Sequence, residues 1–87
     1  MTRKESKRCV GKGWSKLIDE LFDRMPQGAS VYSVKEKFGG LRIDGIGVDD
    51  LECELEERSV KICEMCGKAG ELRNTPWVRT LCDKHNF

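Results

Sequence analysis

The sequence predicts a small single α+β domain, ordered helix, β-hairpin, helix and a short carboxy-terminal ββ module. Apolar residues recur at helical spacing from Trp14 to Met25. A Gly-Gly pair separates two strand-like segments further on. Three of the five cysteines and the only histidine lie close together in the last quarter of the chain. These observations fix the order of the predicted elements.

Length and composition describe a domain that needs extra stabilisation. A chain of 87 residues buries only about 60–65% of the surface that its unfolded form exposes. Its 38% hydrophobic and 36% charged residues indicate a soluble protein. No apolar run approaches the roughly 20 residues that span a bilayer, and "MTRKESKRCV" lacks the apolar segment of a secretory signal. We therefore expect a cytoplasmic location with reduced thiols, and an odd number of cysteines fits a disulfide framework poorly.

Charge is strongly segregated along the chain, although the net charge is only +1. Residues 1–12 contain five cations and one acid, so this predicted basic tail carries +4. Residues 44–57 contain seven acids and no cation, for a charge of −7. Overall neutrality argues against nonspecific polyelectrolyte binding, but a basic face and an acidic face can each engage a partner.

The first predicted helix is "GWSKLIDELFDRMPQG". Its apolar residues share one helical stripe, which is typical of a core-facing surface: Trp14, Leu17, Ile18, Leu21, Phe22 and Met25. We expect the helix to end at Pro26 and Gly28, because proline lacks the amide hydrogen and restricts the residue before it.

The segment "SVYSVKEKFGGLRIDGIGV" predicts a β-hairpin. A two-residue Gly39–Gly40 turn would pair Phe38 with Leu41. One face would then be apolar apart from Glu36, which we expect to pair with a cation at the sheet edge; its members are Tyr32, Val34, Phe38, Leu41 and Ile43. The other face carries Lys35, Lys37 and Arg42. These cations form either a solvated surface or a strip that contacts phosphates.

The segment "DDLECELEERSVKI" predicts the second helix. Asp49 or Asp50 can cap its start, and its apolar side follows Leu51, Leu55 and Ile62, with Arg58 at the same spacing. Its outer face is acidic, which either keeps the protein in solution or docks a basic partner. The candidate docking residues are Asp49, Asp50, Glu52 and Glu56.

The last quarter carries a metal-ligand pattern, Cys-x₂-Cys followed by Cys-x₂-His. Cys63, Cys66, Cys82 and His85 are four ligands suited to one tetrahedral, structural Zn²⁺. A redox pair would not require the second Cys/His pair, and an iron–sulfur cluster would favour a fourth cysteine. Cys9 and Cys53 are spare thiols. We expect the intervening "ELRNTPWVRTL" to form a hairpin that turns at 74–76 and brings the pairs together.

At these residues the chain resembles the treble-clef zinc fingers. The knuckle is "CEMCG" and the second ligand pair is "CDKH". The resemblance implies a final helix at the second pair, but only Asn86 and Phe87 follow, so we expect that helix to be truncated. The whole chain also resembles small, mostly uncharacterised bacteriophage and bacterial proteins, through "GWSKLIDEL", "VKEKFGGLR", "CEMCG" and "TLCDKH". This second resemblance implies a phage or prophage setting and no particular activity.

No catalytic set is apparent, and we expect a protein that is not an enzyme. Some treble clefs belong to HNH-type nucleases, which need further histidines, but His85 is already a predicted ligand. A closed four-ligand zinc leaves no position for a substrate water. We divide the chain into the tail, a body at 13–62 and a zinc module at 63–87 that folds cooperatively with the body.

Two functions remain open, and neither involves a membrane or a small-molecule substrate. The first is a nucleic-acid-binding regulatory module that uses Lys35, Lys37, Arg42, Arg73, Trp77, Arg79 and Lys84. Trp77 either stacks on an unpaired base or belongs to the core. The second is a protein that blocks or redirects a host protein, for example a restriction or CRISPR system. Its acidic helix would imitate the charge of DNA.

Overall fold

Three helices and two antiparallel hairpins make up the described part of the chain, which confirms the α+β prediction. The computed structural model describes residues 1–74 and 77–86. The elements are α1 (Arg3–Arg8), α2 (Ser15–Arg24), β1 (Ser30–Lys37), β2 (Gly40–Ile46), α3 (Asp49–Ser59), β3 (Glu71–Asn74) and β4 (Val78–Leu81), with 3₁₀ helices at Lys12–Trp14 and Asp83–His85. Within these ranges no helix is long and apolar enough to cross a membrane.

The main core lies between α2, α3 and the first hairpin. The predicted apolar stripe of α2 faces this core, and Trp14, Ile18 and Leu21 are completely buried. Leu41 and Ile43 of β2 and Leu55 of α3 meet them there. Helix α2 ends at Arg24, and Met25 has an extended ψ of 131° before Pro26, as the proline predicts.

The basic amino-terminal segment is not a free tail over residues 3–8, which form α1. A capping box begins the helix, because the Thr2 hydroxyl accepts from the Glu5 amide and the Glu5 carboxylate accepts from the Thr2 amide. Arg3 and Lys7 contact Asp19 at 3.0 and 2.8 Å. Arg3 also binds Asp23 at 2.6 Å. Cations of the segment thus meet acids on the outer side of α2.

The turn of the first hairpin differs from the prediction by one residue. Lys37 pairs with Gly40 and Glu36 with Leu41, so the turn residues are Phe38 and Gly39. Their φ angles are +53° and +80°, as a primed two-residue turn requires. Phe38 therefore lies at the tip with 69% of its surface exposed and is not part of the apolar face. The prediction failed because it reserved the positive φ angles for glycines.

The strand β1 contains a bulge that corrects a second assignment. The register shifts between Val31 and Ser33, so Val31 and Val34 both point into the core. Tyr32, predicted on the apolar face, is 59% exposed. Among the described residues Glu36 has no cationic partner. Its carboxylate accepts the Gly39 amide at 2.7 Å and holds the turn.

The helix α3 is shorter than predicted and begins without a side-chain cap. Its N-cap is Val48, so neither predicted capping aspartate has that role. The helix ends at Ser59, and Ile62 lies beyond it in an isolated bridge to Ala69. Ion pairs join α3 to α2: Arg24 contacts Glu54 at 2.6 Å, and Arg58 contacts Glu20 at 2.6 Å.

The second hairpin has the predicted antiparallel pairing. Strands β3 and β4 pair from Glu71 with Leu81 to Asn74 with Val78. The predicted turn at 74–76 falls partly outside the described residues. The tip of the first hairpin packs against β4, since the Thr80 hydroxyl donates to the Gly39 carbonyl at 2.6 Å.

Candidate functional site

The first ligand pair lies on a tight knuckle that follows the bridge at Ile62. The Cys63 amide donates to the Lys68 carbonyl at 2.7 Å, and the Gly67 amide donates to the Cys63 carbonyl at 2.9 Å. Gly67 has a φ of +83°, which glycine adopts without strain. The chain therefore curls back on itself, and the thiols of Cys63 and Cys66 approach the same point.

The second ligand pair follows β4 and starts the last 3₁₀ helix. The His85 amide donates to the Cys82 carbonyl at 3.1 Å, so one helical turn places both side chains on the same side. Arg73 braces this turn from β3. Its Nε donates to the Leu81 carbonyl at 3.2 Å, and its guanidinium binds Asp83 at 2.8 Å.

The four predicted ligands converge and can hold one metal ion. Their donor atoms all lie within 4.8 Å of one another. The distances are 3.7 Å from Cys63 Sγ to His85 Nδ1, 3.7 Å from Cys66 Sγ to Cys82 Sγ, and 3.2 Å from Cys82 Sγ to His85 Nδ1. Tetrahedral zinc, with Zn–S bonds of about 2.3 Å, separates its ligand atoms by about 3.5–3.8 Å. Two of these three distances match that spacing, and three thiols with one imidazole are a donor set typical of structural zinc.

The surroundings of two thiols favour the thiolate, the form that binds metal. Burial alone would raise the pKa of Cys63, but amides of Cys82, Cys66 and Met65 that face its sulfur lower that pKa to about 6. Burial would also raise the pKa of Cys82, but hydrogen bonds from His85 outweigh that effect and lower the pKa of this thiol. The Lys68 amide alone would lower the pKa of Cys66, but partial desolvation and the neighbouring sulfurs of Cys63 and Cys82 together raise it. Hydrogen bonds to Cys82 and Cys63 raise the pKa of His85.

The knuckle is docked on the body through the segment that precedes α2. The Gly13 amide donates to the Glu64 carbonyl at 2.9 Å, and the Trp14 indole donates to the Ile62 carbonyl at 2.9 Å. A Cβ at Gly13 would lie 2.0 Å from the Cys63 carbonyl oxygen. Only glycine therefore allows this approach of two backbones, and the ligand loop rests directly on the wall of the main core.

A partly buried ion pair joins the knuckle to the second hairpin. Glu64 lies between the first two cysteines and is only 7% exposed. Its amide donates to the Thr80 carbonyl at 3.0 Å, and its Oε1 accepts from Arg79 Nε at 2.9 Å. Its second oxygen has no hydrogen-bond partner among the described residues. Arg79 therefore links the two ligand pairs from inside the module.

The two spare thiols lie outside the cluster. Cys9 at the end of α1 and Cys53 on α3 are both exposed, and neither belongs to the group of converging donor atoms. Their placement agrees with the prediction that the other four Cys and His residues form the set.

The predicted nucleic-acid-binding residues fall into two groups. Arg73 and Arg79 are held by Asp83 and Glu64, and Arg42 lies 3.5 Å from Glu56. The second group has exposed cations without an ion pair in the described ranges: Lys35, Lys37 and Lys84. Trp77 is 68% exposed, so it is not a core residue.

The predicted acidic docking residues also differ from one another. Asp49 and Asp50 are exposed at the start of α3 and make no ion pair within 1–74 and 77–86. Glu56 is engaged by Arg42. Burial, with smaller contributions from Glu56 and other nearby acids, raises the pKa of Glu52.

Comparison with known proteins found no match to this chain. No protein-family model, no curated protein and no solved structure matches the chain. The resemblance to treble-clef fingers therefore stays a prediction. The geometry of the described residues is the basis for a proposed function.

Several residues that position the site were not found from the sequence. The docking glycine Gly13 and the bracing Glu64 stand in segments that we interpreted as a helix start and a knuckle. Two glycines around one lysine in "GKGW" were the only available signal of a close backbone approach. The residues next to Glu64 in the sequence do not indicate that it is buried, because its partner Arg79 is fifteen residues away.

Proposed function

We propose that the protein is a nucleic-acid-binding module that performs no reaction and is stabilised by one structural zinc ion. The observation that carries the zinc is the convergence of three sulfurs and one imidazole nitrogen within 4.8 Å. Four protein ligands fill a tetrahedral zinc and leave no position for a substrate water. The ion then stabilises the fold and is not a catalyst.

The exposed side of the first hairpin supports the nucleic-acid assignment. Lys35 pairs with Arg42 across the two strands, and Lys37 lies on the same side one step nearer the turn. Arg42 is engaged by Glu56, whereas the two lysines keep their ammonium groups exposed. The exposed ring of Phe38 lies at the tip of this hairpin, with Lys37 Nζ 5.9 Å from its centre, and the ring of Trp77 is also exposed. Cations beside exposed aromatic rings are typical of proteins that bind nucleic acid.

The salt dependence of binding tests this proposal. For single strands, the slope of log K against log salt is about −0.7 for each phosphate contact. We expect the double variant Lys35→Gln/Lys37→Gln to weaken binding of a labelled oligonucleotide and to make the slope less negative by about 1.4. Lys61→Gln/Lys68→Gln, which removes two exposed lysines elsewhere, is the matched control. Absence of oligonucleotide binding at low salt, or equal effects of both double variants, would contradict the proposal.

One observation favours the second candidate, a protein that docks on a basic host protein. Asp49 and Asp50 project from the start of α3 without a cationic partner in the described part of the chain. Asp49→Asn/Asp50→Asn should then abolish capture of a stoichiometric partner from nuclease-treated lysate. If the captured material disappears with nuclease, the first candidate is the better account.

A further inference from the structure

The turn of the first hairpin breaks a local rule at Phe38. This residue has a φ of +53°, in the left-handed region that aromatic side chains rarely adopt. A two-residue turn with two positive φ angles favours asparagine followed by glycine. Phe38 also gains little by packing, since 69% of its surface is exposed. Packing of the ring itself therefore does not compensate for the strain, and such strain is typical of functional positions.

The same turn is held rigidly by its neighbours. The Gly39 amide donates to Glu36 at 2.7 Å, and the Gly39 carbonyl accepts from Thr80 at 2.6 Å. The Leu41 amide, just after the turn, donates to Ser59 at 2.9 Å. A Cβ at Gly39 would lie 2.7 Å from the Leu72 side chain. The ring of Phe38 is thus presented to solvent by a backbone that is fixed on both sides.

The ring is part of a surface cleft of mixed charge. Phe38 lines this cleft of about 420 Å³ together with three cations and three acids. The cations are Lys35, Lys37 and Arg42, and the acids are Asp44, on β2 with Arg42, and Glu52 and Glu56 of α3. Lys37 Nζ lies 5.9 Å from the centre of the Phe38 ring. Arg42 is engaged by Glu56, so the lysines are the cations left to meet an anion.

We propose that this cleft binds an unpaired nucleotide of single-stranded nucleic acid, with its base stacked on Phe38 and its phosphate on Lys35 and Lys37. The inference rests on the nucleic-acid binding proposed above and names the form of nucleic acid. A base inside a duplex cannot offer its face to a ring at a hairpin tip, whereas an unpaired base can. The acids that line the same cleft repel a longer phosphate backbone, so we expect the footprint at this cleft to be one or two nucleotides.

The decisive variant is Phe38→Asn, because stability and binding should move in opposite directions. Asparagine tolerates the left-handed conformation, so the melting temperature should rise by about 4–8 °C. Affinity for a labelled 12-nucleotide mixed-sequence single strand, measured by fluorescence anisotropy, should fall by about 5- to 150-fold. Phe38→Tyr should keep the affinity. Tyr32→Asn, which removes an exposed aromatic ring of β1 away from the turn, should leave it unchanged.

The outcomes separate this inference from the proposed function. The inference requires that wild-type protein bind DNA or RNA single strands more tightly than a duplex of the same sequence. Equal binding of both forms, unaltered by Phe38→Asn, overturns the stacking site and leaves nucleic-acid binding standing. A fall in melting temperature for Phe38→Asn shows that the ring serves packing, which also overturns the inference. If wild type binds no oligonucleotide, both proposals fail and the exposed ring is left to a protein partner.

Discussion

The body and the carboxy-terminal module are stabilised in different ways. The body buries ten hydrophobic side chains in one cluster between α2, α3 and the first hairpin. Among the described residues of the module, a separate buried cluster comprises Cys63, Leu81 and Cys82, so two of these three members are predicted ligands. Apolar burial of that extent cannot offset the conformational entropy of about twenty ordered residues. We therefore expect the module to depend on a bound metal ion and on its docking to the body, and the body to depend on them less.

Loss of a metal ligand should destabilise the module much more than the body, and this is the largest effect that we expect. We expect Cys63→Ser to remove much of the roughly 10–16 kcal/mol that a structural zinc contributes. Protease sensitivity and loss of amide protection should then be largest in residues 63–86 and smaller in the body against which the module packs. Limited proteolysis and hydrogen exchange measure both regions at once.

The matched control is Cys9→Ser, since Cys9 is exposed and outside the cluster. We expect this variant to retain metal and stability. Unchanged protection of residues 63–86 in Cys63→Ser would show that the module does not depend on the metal.

A methyl group at Gly13 should separate the two regions while leaving the ligands intact. The added Cβ would lie 2.0 Å from the Cys63 carbonyl oxygen and 2.6 Å from the Glu64 carbonyl carbon. Because both contacts are with backbone, we expect Gly13→Ala to cost about 3 kcal/mol or more in chemical denaturation.

Gly28→Ala provides the comparison for that experiment. Gly28 has a φ of +88° but open space around its Cβ position, so alanine there meets backbone strain alone, about 1 kcal/mol. If Gly13→Ala costs no more than Gly28→Ala, the docking contact contributes less than the geometry implies.

The smallest effect concerns the ion pairs that join α2 and α3 within the body. The hydrogen bond from Arg58 holds the pKa of Glu20 below its ordinary value of 4.5. The pair stabilises the fold while Glu20 is ionised, above the unfolded pKa, and this contribution is lost as the pH falls through the lower folded pKa. Because both side chains are partly exposed, we expect Glu20→Gln to cost about 0.5–1 kcal/mol at neutral pH.

The difference between Glu20→Gln and wild type should disappear towards acidic pH. Glu57→Gln removes an exposed carboxylate of α3 that makes no ion pair in the described ranges, and it should cost nothing at either pH. A pH-independent loss for Glu20→Gln would mean that its side chain contributes by packing.

The helices and strands after α1, and the ligand set, could be predicted because their signals are local. Trp14 to Met25 repeat at helical spacing, and each Cys-x₂ gap fits one turn of chain. The turn register could not be predicted in the same way. Local preference places the glycines at the two positive φ angles, but Gly40 is buried beside Val60 and Ser59, and Gly39 is wedged against β4. Contacts between distant segments therefore override the preference at Phe38.

The docking of the module on the body also could not be predicted from the sequence. The contacts of Gly13 and Trp14 with residues 62–64 join segments about fifty residues apart. The roles of the basic residues could not be predicted for the same reason. Their number and spacing in the sequence do not show that Arg73 binds Asp83 and that Arg79 binds Glu64.

The measurement that tests the account most directly is the zinc content of the purified protein, determined by elemental analysis against the chain concentration. The geometry of Cys63, Cys66, Cys82 and His85 predicts one zinc ion per chain. Chelation of that ion should then expose residues 63–86 to protease. A preparation that contains no stoichiometric zinc while residues 63–86 resist proteolysis would contradict the account.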